Sequence, residues 1–220
     1  MGLGVALITA AVVGLIVSLL IQLALTAVVG EQVLMVLVAP LSEEPAKAIG
    51  IVAVVLFMWK IVPNRRYGAA LGAAAGLGFG VAESILYIYG IIANNLPGEL
   101  VVVRLLVTPL MHPLWSAFVG IGVFTLVSKK STNAVPYGLS IVFLFIGIVN
   151  HIIWNAIALL SGLEYVAILL NAVVIFPIFA IVLRDFLGGH FNFLNFFEPL
   201  PEPYPTYLTI SPPPPPPPPV

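Results

Sequence analysis

Of 220 residues, 61% are hydrophobic and only 8% charged, a balance outside the soluble range that fits a polytopic helical membrane protein. The formal net charge is −1, and the few Lys and Arg residues stand singly or in pairs, so there is no basic stripe to grip a phosphate backbone and nucleic acid is not an expected partner. The absence of cysteine removes disulfides, thiolate nucleophiles and Cys-based metal centres.

A spanning helix needs about 20 mostly apolar residues. Six segments qualify: residues 3–29, 32–59, 67–93, 101–127, 135–161 and 163–186. The first is too long for a signal-peptide core and lacks a basic flank, which predicts a retained helix. Lys60, Pro63, Asn64, Arg65 and Arg66 part the second and third segments, and Lys129 to Asn133 part the fourth and fifth. These two loops are the basic ones. The positive-inside bias puts both, and with them both termini, on the cytoplasmic side.

The second segment is interrupted by Ser42-Glu43-Glu44-Pro45-Ala46-Lys47. An ionisable side chain at the centre of a spanning helix costs about 2.5–3.5 kcal/mol on insertion scales, so such groups face a bundle interior and usually act there. The third segment carries Gly68, Gly72, Gly76 and Gly80, a seam at intervals of four that permits close backbone approach, with Glu83 just beyond. Pro40, Pro45, Pro109 and Pro113 fall within the second and fourth segments and are expected to bend them beside polar residues. The fourth carries His112, and the fifth His151 and Asn155. With a rise of about 1.5 Å per residue, Glu43, Glu83, His112 and His151 all lie about 15–18 Å from the non-cytoplasmic ends of their helices, and Asn155 about one turn nearer the surface. Four helices thus deliver polar groups to one layer.

The tail differs from the bundle. Residues 1–188 read as a transmembrane domain, and residues 189–220 as an interfacial aromatic segment followed by a Pro-rich cytoplasmic tail. The run Pro212 to Pro219 predicts an extended, solvated polyproline II rod.

Elimination narrows the chemistry. Asp185 is the only aspartate, so an aspartyl dyad is excluded, and neither His-Glu-x-x-His nor a Gly-x-Ser-Gly nucleophile turn occurs. Ser42, Ser84 and Ser116 lie beside key residues, but a helical serine tends to bond its own backbone. Carboxylate and imidazole remain, the material of general acid–base hydrolysis with an activated water.

Four motifs, one per helix, carry a resemblance. They are Glu43-Glu44-x-x-Lys47, Phe79-x-x-x-Glu83, His112-x-x-x-Ser116 and His151-x-x-x-Asn155. In this order the sequence resembles the PrsW branch of the superfamily that includes the type II CAAX prenyl endopeptidases. Glu83 stands where the CAAX branch has histidine, which places the chain with PrsW, and Pro45 sits inside the first motif. The resemblance implies an intramembrane endopeptidase in the cell membrane, cutting a membrane-anchored, anti-sigma-factor-like single-span protein.

The roles it implies have physical grounds. Glu43 is the candidate base, because a carboxylate held in a low-dielectric layer accepts protons more readily than one in water. Glu44 and Lys47 are spaced to pair on one helix face. Glu83 would hold the water from the facing helix, His112 would orient the water or the other histidine, and His151 with Asn155 would donate to the developing oxyanion. The expectation is a metal-free site; the alternative is zinc on Glu43, Glu83, His112 and His151. Readings from other classes are a non-catalytic scaffold, like the gamma-secretase subunit related to this superfamily, and a proton-coupled transporter using the same groups as a relay.

Overall fold

A computed structural model describes residues 2–57, 65–98, 101–102, 105, 107–127 and 137–160. The sixth predicted segment, 163–186, and the tail from 189 lie outside these residues. Every regular element among those described is helical, in the order α1 (Gly2–Thr9), a π-helical stretch (Ala10–Gly14), α2 (Leu15–Thr26), α3 (Glu31–Val33), a second π-helical stretch (Leu34–Val38), α4 (Ala39–Phe57), α5 (Arg65–Ala93), α6 (Thr108–Val127) and α7 (Tyr137–Leu160).

Among the described residues, four helices are long and apolar enough to cross a membrane: Gly4–Thr26, Arg66–Ala93, Thr108–Val127 and Ser140–Ala158. The protein is therefore an integral membrane protein built as a helical bundle. α4 is apolar at both ends, and the charges of its middle are buried rather than turned to lipid: Glu43, Glu44 and Lys47 are all buried.

α6 is the central helix. Fourteen of its residues are buried, among them His112, Trp115, Ser116 and every position from Ala117 to Thr125. α5 packs along it through the glycine seam. A Cβ at Gly72 would strike the Ser116 carbonyl, one at Gly76 the His112 carbonyl, and one at Gly80 would lie 2.7 Å from the His112 ring. On the facing helix, a Cβ at Gly120 would meet the Gly68 carbonyl. The seam thus sets a short interaxial distance, and it sets it beside His112. Phe79, Leu71 and Ala75 fill the space towards α1 and α4 with Ala6, Ala10, Ile51 and Val54. By contrast, Leu23, Ile85, Tyr89, Leu110 and Phe145 are exposed, as expected of faces turned to acyl chains.

Two helices carry an internal proline close to the polar residues. Pro45 and Pro113 lie inside α4 and α6, whereas Pro109 is the second residue of α6, where a missing N–H is no loss. Asn95, with φ of 53°, ends α5 in the left-handed region, and Leu96 N–H closes on the Ile91 carbonyl at 3.0 Å.

Candidate active site

The first motif works because its spacing matches the helix. Lys47 follows Glu44 by three residues and Glu43 by four, so all three share a face of α4. Lys47 Nζ stands 2.5 Å from Glu44 Oε1 and 4.0 Å from Glu43 Oε2. Both members of the Lys47–Glu44 pair are fully buried. Such a pair persists only if its remaining valences are also met, and here they are. Glu44 Oε1 also accepts from His151 Nδ1 at 3.0 Å, and Glu44 Oε2 accepts from Ser116 Oγ at 2.9 Å. Glu44 is thus the hub that ties α4 to α6 and α7.

Lys47 reaches further. Its Nζ lies 2.7 Å from His112 Nδ1 and 4.4 Å from the centroid of the Phe79 ring. An ammonium only donates, so Nδ1 accepts and the His112 proton sits on Nε2, which donates to Glu83 Oε2 at 2.9 Å. The hydrogen-bonded path Glu44, Lys47, His112, Glu83 crosses from α4 through α6 to α5. Glu83 is its most exposed member, with 13% of its side chain accessible.

Two acceptors converge at the centre. His151 donates through Nδ1 to Glu44, which leaves Nε2 as the acceptor of a neutral ring, and Nε2 faces Glu43 Oε2 across 3.9 Å. Glu43 Oε2 is buried and has no hydrogen-bond partner. A lone pair at membrane depth without a donor carries a penalty of about 1–3 kcal/mol or more, which a water or a cation between the two atoms would relieve. Trp115 fixes the histidine from the other side, stacked on the His151 ring with centroids 4.0 Å apart, and Trp154 packs beyond it.

The structure brings Glu43, Glu44, Lys47, Glu83, His112, Ser116, His151 and Phe79 into one connected cluster. Asn155 lies on the rim: its Nδ2 donates to the Met35 carbonyl at 2.9 Å, within the π-helical stretch before α4. Ser116 spends its hydroxyl on Glu44, whereas Ser42 bonds back to the Ala39 carbonyl at 2.9 Å. Ser84 Oγ is buried without a partner. Two contributors were not singled out from sequence. Gln22 of α2 donates to Glu43 Oε1 at 3.2 Å and to Ser42 Oγ at 3.3 Å, and Trp115 stacks on His151. A lone amide in the first apolar run was the signal for Gln22; the i, i+3 spacing from His112 was the signal for Trp115.

The donor set also bears on metal binding. Ligand atoms of Glu43, His112 and His151 lie within 4.8 Å of one another. Glu43 and His151 fit a divalent cation directly, since Glu43 Oε2 has no hydrogen-bond partner and the second nitrogen of His151 is anchored on a carboxylate, as metal-bound imidazoles usually are. His112 fits only if its Nδ1 gives up Lys47, since Nε2 carries the ring proton. Glu83 stands behind His112.

The model of the PrsW family intramembrane metalloprotease matches residues 1–182. The chain belongs to this family. It is accordingly a membrane-embedded peptidase acting on protein. No match was found among curated proteins or among solved structures.

Proposed function

We propose that this PrsW-family peptidase hydrolyses a peptide bond of a membrane-anchored, single-span protein with a water held between Glu43 Oε2 and His151 Nε2. The observation that carries the reading is the buried, unpartnered Glu43 Oε2 facing a second acceptor at 3.9 Å. Gln22 holds the other oxygen of Glu43, and Glu44 holds the other nitrogen of His151, so both acceptors are oriented before substrate arrives.

In the reaction, Glu43 takes a proton from the water as its oxygen adds to the scissile carbonyl carbon. The oxyanion that forms needs a donor. Asn155 spends one amide hydrogen on Met35 and has a second to offer, and about 2.7–4 kcal/mol is the usual worth of such a donor. As the C–N bond breaks, Glu43 returns the proton to the leaving amine, giving a free carboxyl and a free amino terminus. Lys47 balances Glu44 so that two adjacent carboxylates can coexist in a dry site. Zinc held by Glu43 and His151, joined by His112 only if Lys47 releases it, would supply Lewis acidity and a more acidic bound water.

The placement in the cell membrane with cytoplasmic termini rests on the basic loops at Lys60 to Arg66 and Lys129 to Lys130. The test is reconstitution of the purified chain in liposomes with candidate single-span substrates, comparing wild type with Glu43→Gln, which keeps the shape and removes the base. Cleavage by wild type with loss in the variant is expected; equal cleavage by both removes Glu43 from the mechanism.

A further inference from the structure

We infer that Lys47 sets the metal demand of this site, because its ammonium holds the lone pair through which His112 would bind a cation. The inference rests on Glu43 and His151 being the reacting pair, but it is read through metal binding and not through cleavage, so the two can fail separately.

The geometry is specific. A ring nitrogen has one in-plane lone pair, and that of His112 Nδ1 is met by Lys47 Nζ at 2.7 Å while Nε2 is turned to Glu83 Oε2 at 2.9 Å. Lys47 is fully buried, backed by the Phe79 ring at 4.4 Å and clamped by Glu44 at 2.5 Å, so the ammonium is held against His112. The same nitrogen is 4.0 Å from Glu43 Oε2, the atom a metal would need most. A dication held by Glu43, His112 and His151 would therefore stand beside a buried positive charge, where like charges repel strongly because little water screens them. Lys47 is the site's own cation. Metal reaches Glu43 and His151 past it, and His112 becomes a ligand only when Lys47 withdraws.

Equilibrium zinc binding by the purified, metal-stripped full chain in detergent tests this, with bound zinc counted by mass spectrometry after gel filtration. The chain has no cysteine, so no thiolate contributes background. Lys47→Met is expected to tighten zinc binding by about 10–100-fold, the range that groups around a metal's ligands command. Lys47→Arg, which keeps the charge, is expected to stay near wild type, and adding His112→Gln to Lys47→Met should erase the gain. Because Lys47→Met leaves Glu44 unpaired, the Glu44→Gln/Lys47→Met double variant removes both charges together and serves if the single variant does not fold. His112→Gln in the wild-type background needs no change at Lys47: zinc affinity should be unchanged there. Equal or weaker binding in the neutral variants, a gain that survives His112→Gln, a loss of zinc in His112→Gln alone, or no zinc bound by any variant each overturns the inference.

Discussion

Two stretches of the α5–α6 contact lie side by side and are built on opposite principles. Over residues 68–80 of α5 the helices meet largely through backbone: glycines on both sides leave no room for a Cβ, and their neighbours are mostly carbonyls and Cα atoms, with Phe124 against Gly68 and the edge of His112 against Gly80. One turn on, at Glu83, they meet through charge, with a carboxylate on an imidazole at 2.9 Å. Beyond that, Ile85, Tyr89 and Ile92 are exposed. The seam brings the axes close enough for a short side chain to span them, and the polar layer begins where the seam ends. Packing here is what makes the chemistry reachable, and the chemistry contributes little to packing.

That contrast yields an ordered set of expectations. Glu43→Gln should lower cleavage by about 10²–10⁴-fold, the share of a general base, while leaving thermal stability in detergent unchanged or raised, since the orphaned oxygen loses its charge. A fall in melting temperature matching the loss of activity would blur the division. Gly72→Val should do the reverse, destabilising by about 1–3 kcal/mol or more through collision with the Ser116 carbonyl, seen in a thermal or denaturant melt. A melt like that of wild type would show that the close approach is not required. Ser116→Ala lies between the two. It removes one donor from a buried carboxylate, an effect of about 1.5–3 kcal/mol on stability, and activity should fall less than in Glu43→Gln. The smallest effect belongs to Gly90→Ala at the far end of α5, where a Cβ meets nothing within 4 Å; it should stabilise by about 0.5–1 kcal/mol.

Much of the polar layer was legible in the sequence because charge in an apolar run is costly, and depth along a helix follows from counting residues. Glu43, Glu83, His112 and His151 are readable on those grounds alone. What counting does not provide is azimuth and contact. The sequence placed Asn155 one turn nearer the surface than His151, but not its bond to Met35, which depends on an irregular stretch, Leu34–Val38, that no residue type announces. Gln22 escaped for another reason: a single neutral amide in a hydrophobic helix is easily accommodated, and only the packing of α2 on α4 turns it onto Glu43. Lys47 was legible as a partner for Glu44 by spacing, whereas its bond to His112 required the fold.

The wide turn at Leu34–Val38 has a further consequence. Each bond there spans five residues instead of four, so the stretch holds one residue more than an ordinary helix of the same length. Deleting a residue within it would return the stretch to ordinary helical winding, with the segments on either side keeping their facing. The acid pair downstream would keep its bearing while Asn155 lost its anchor. The extra residue is absorbed locally: it presents the Met35 carbonyl to Asn155 without turning the glutamates.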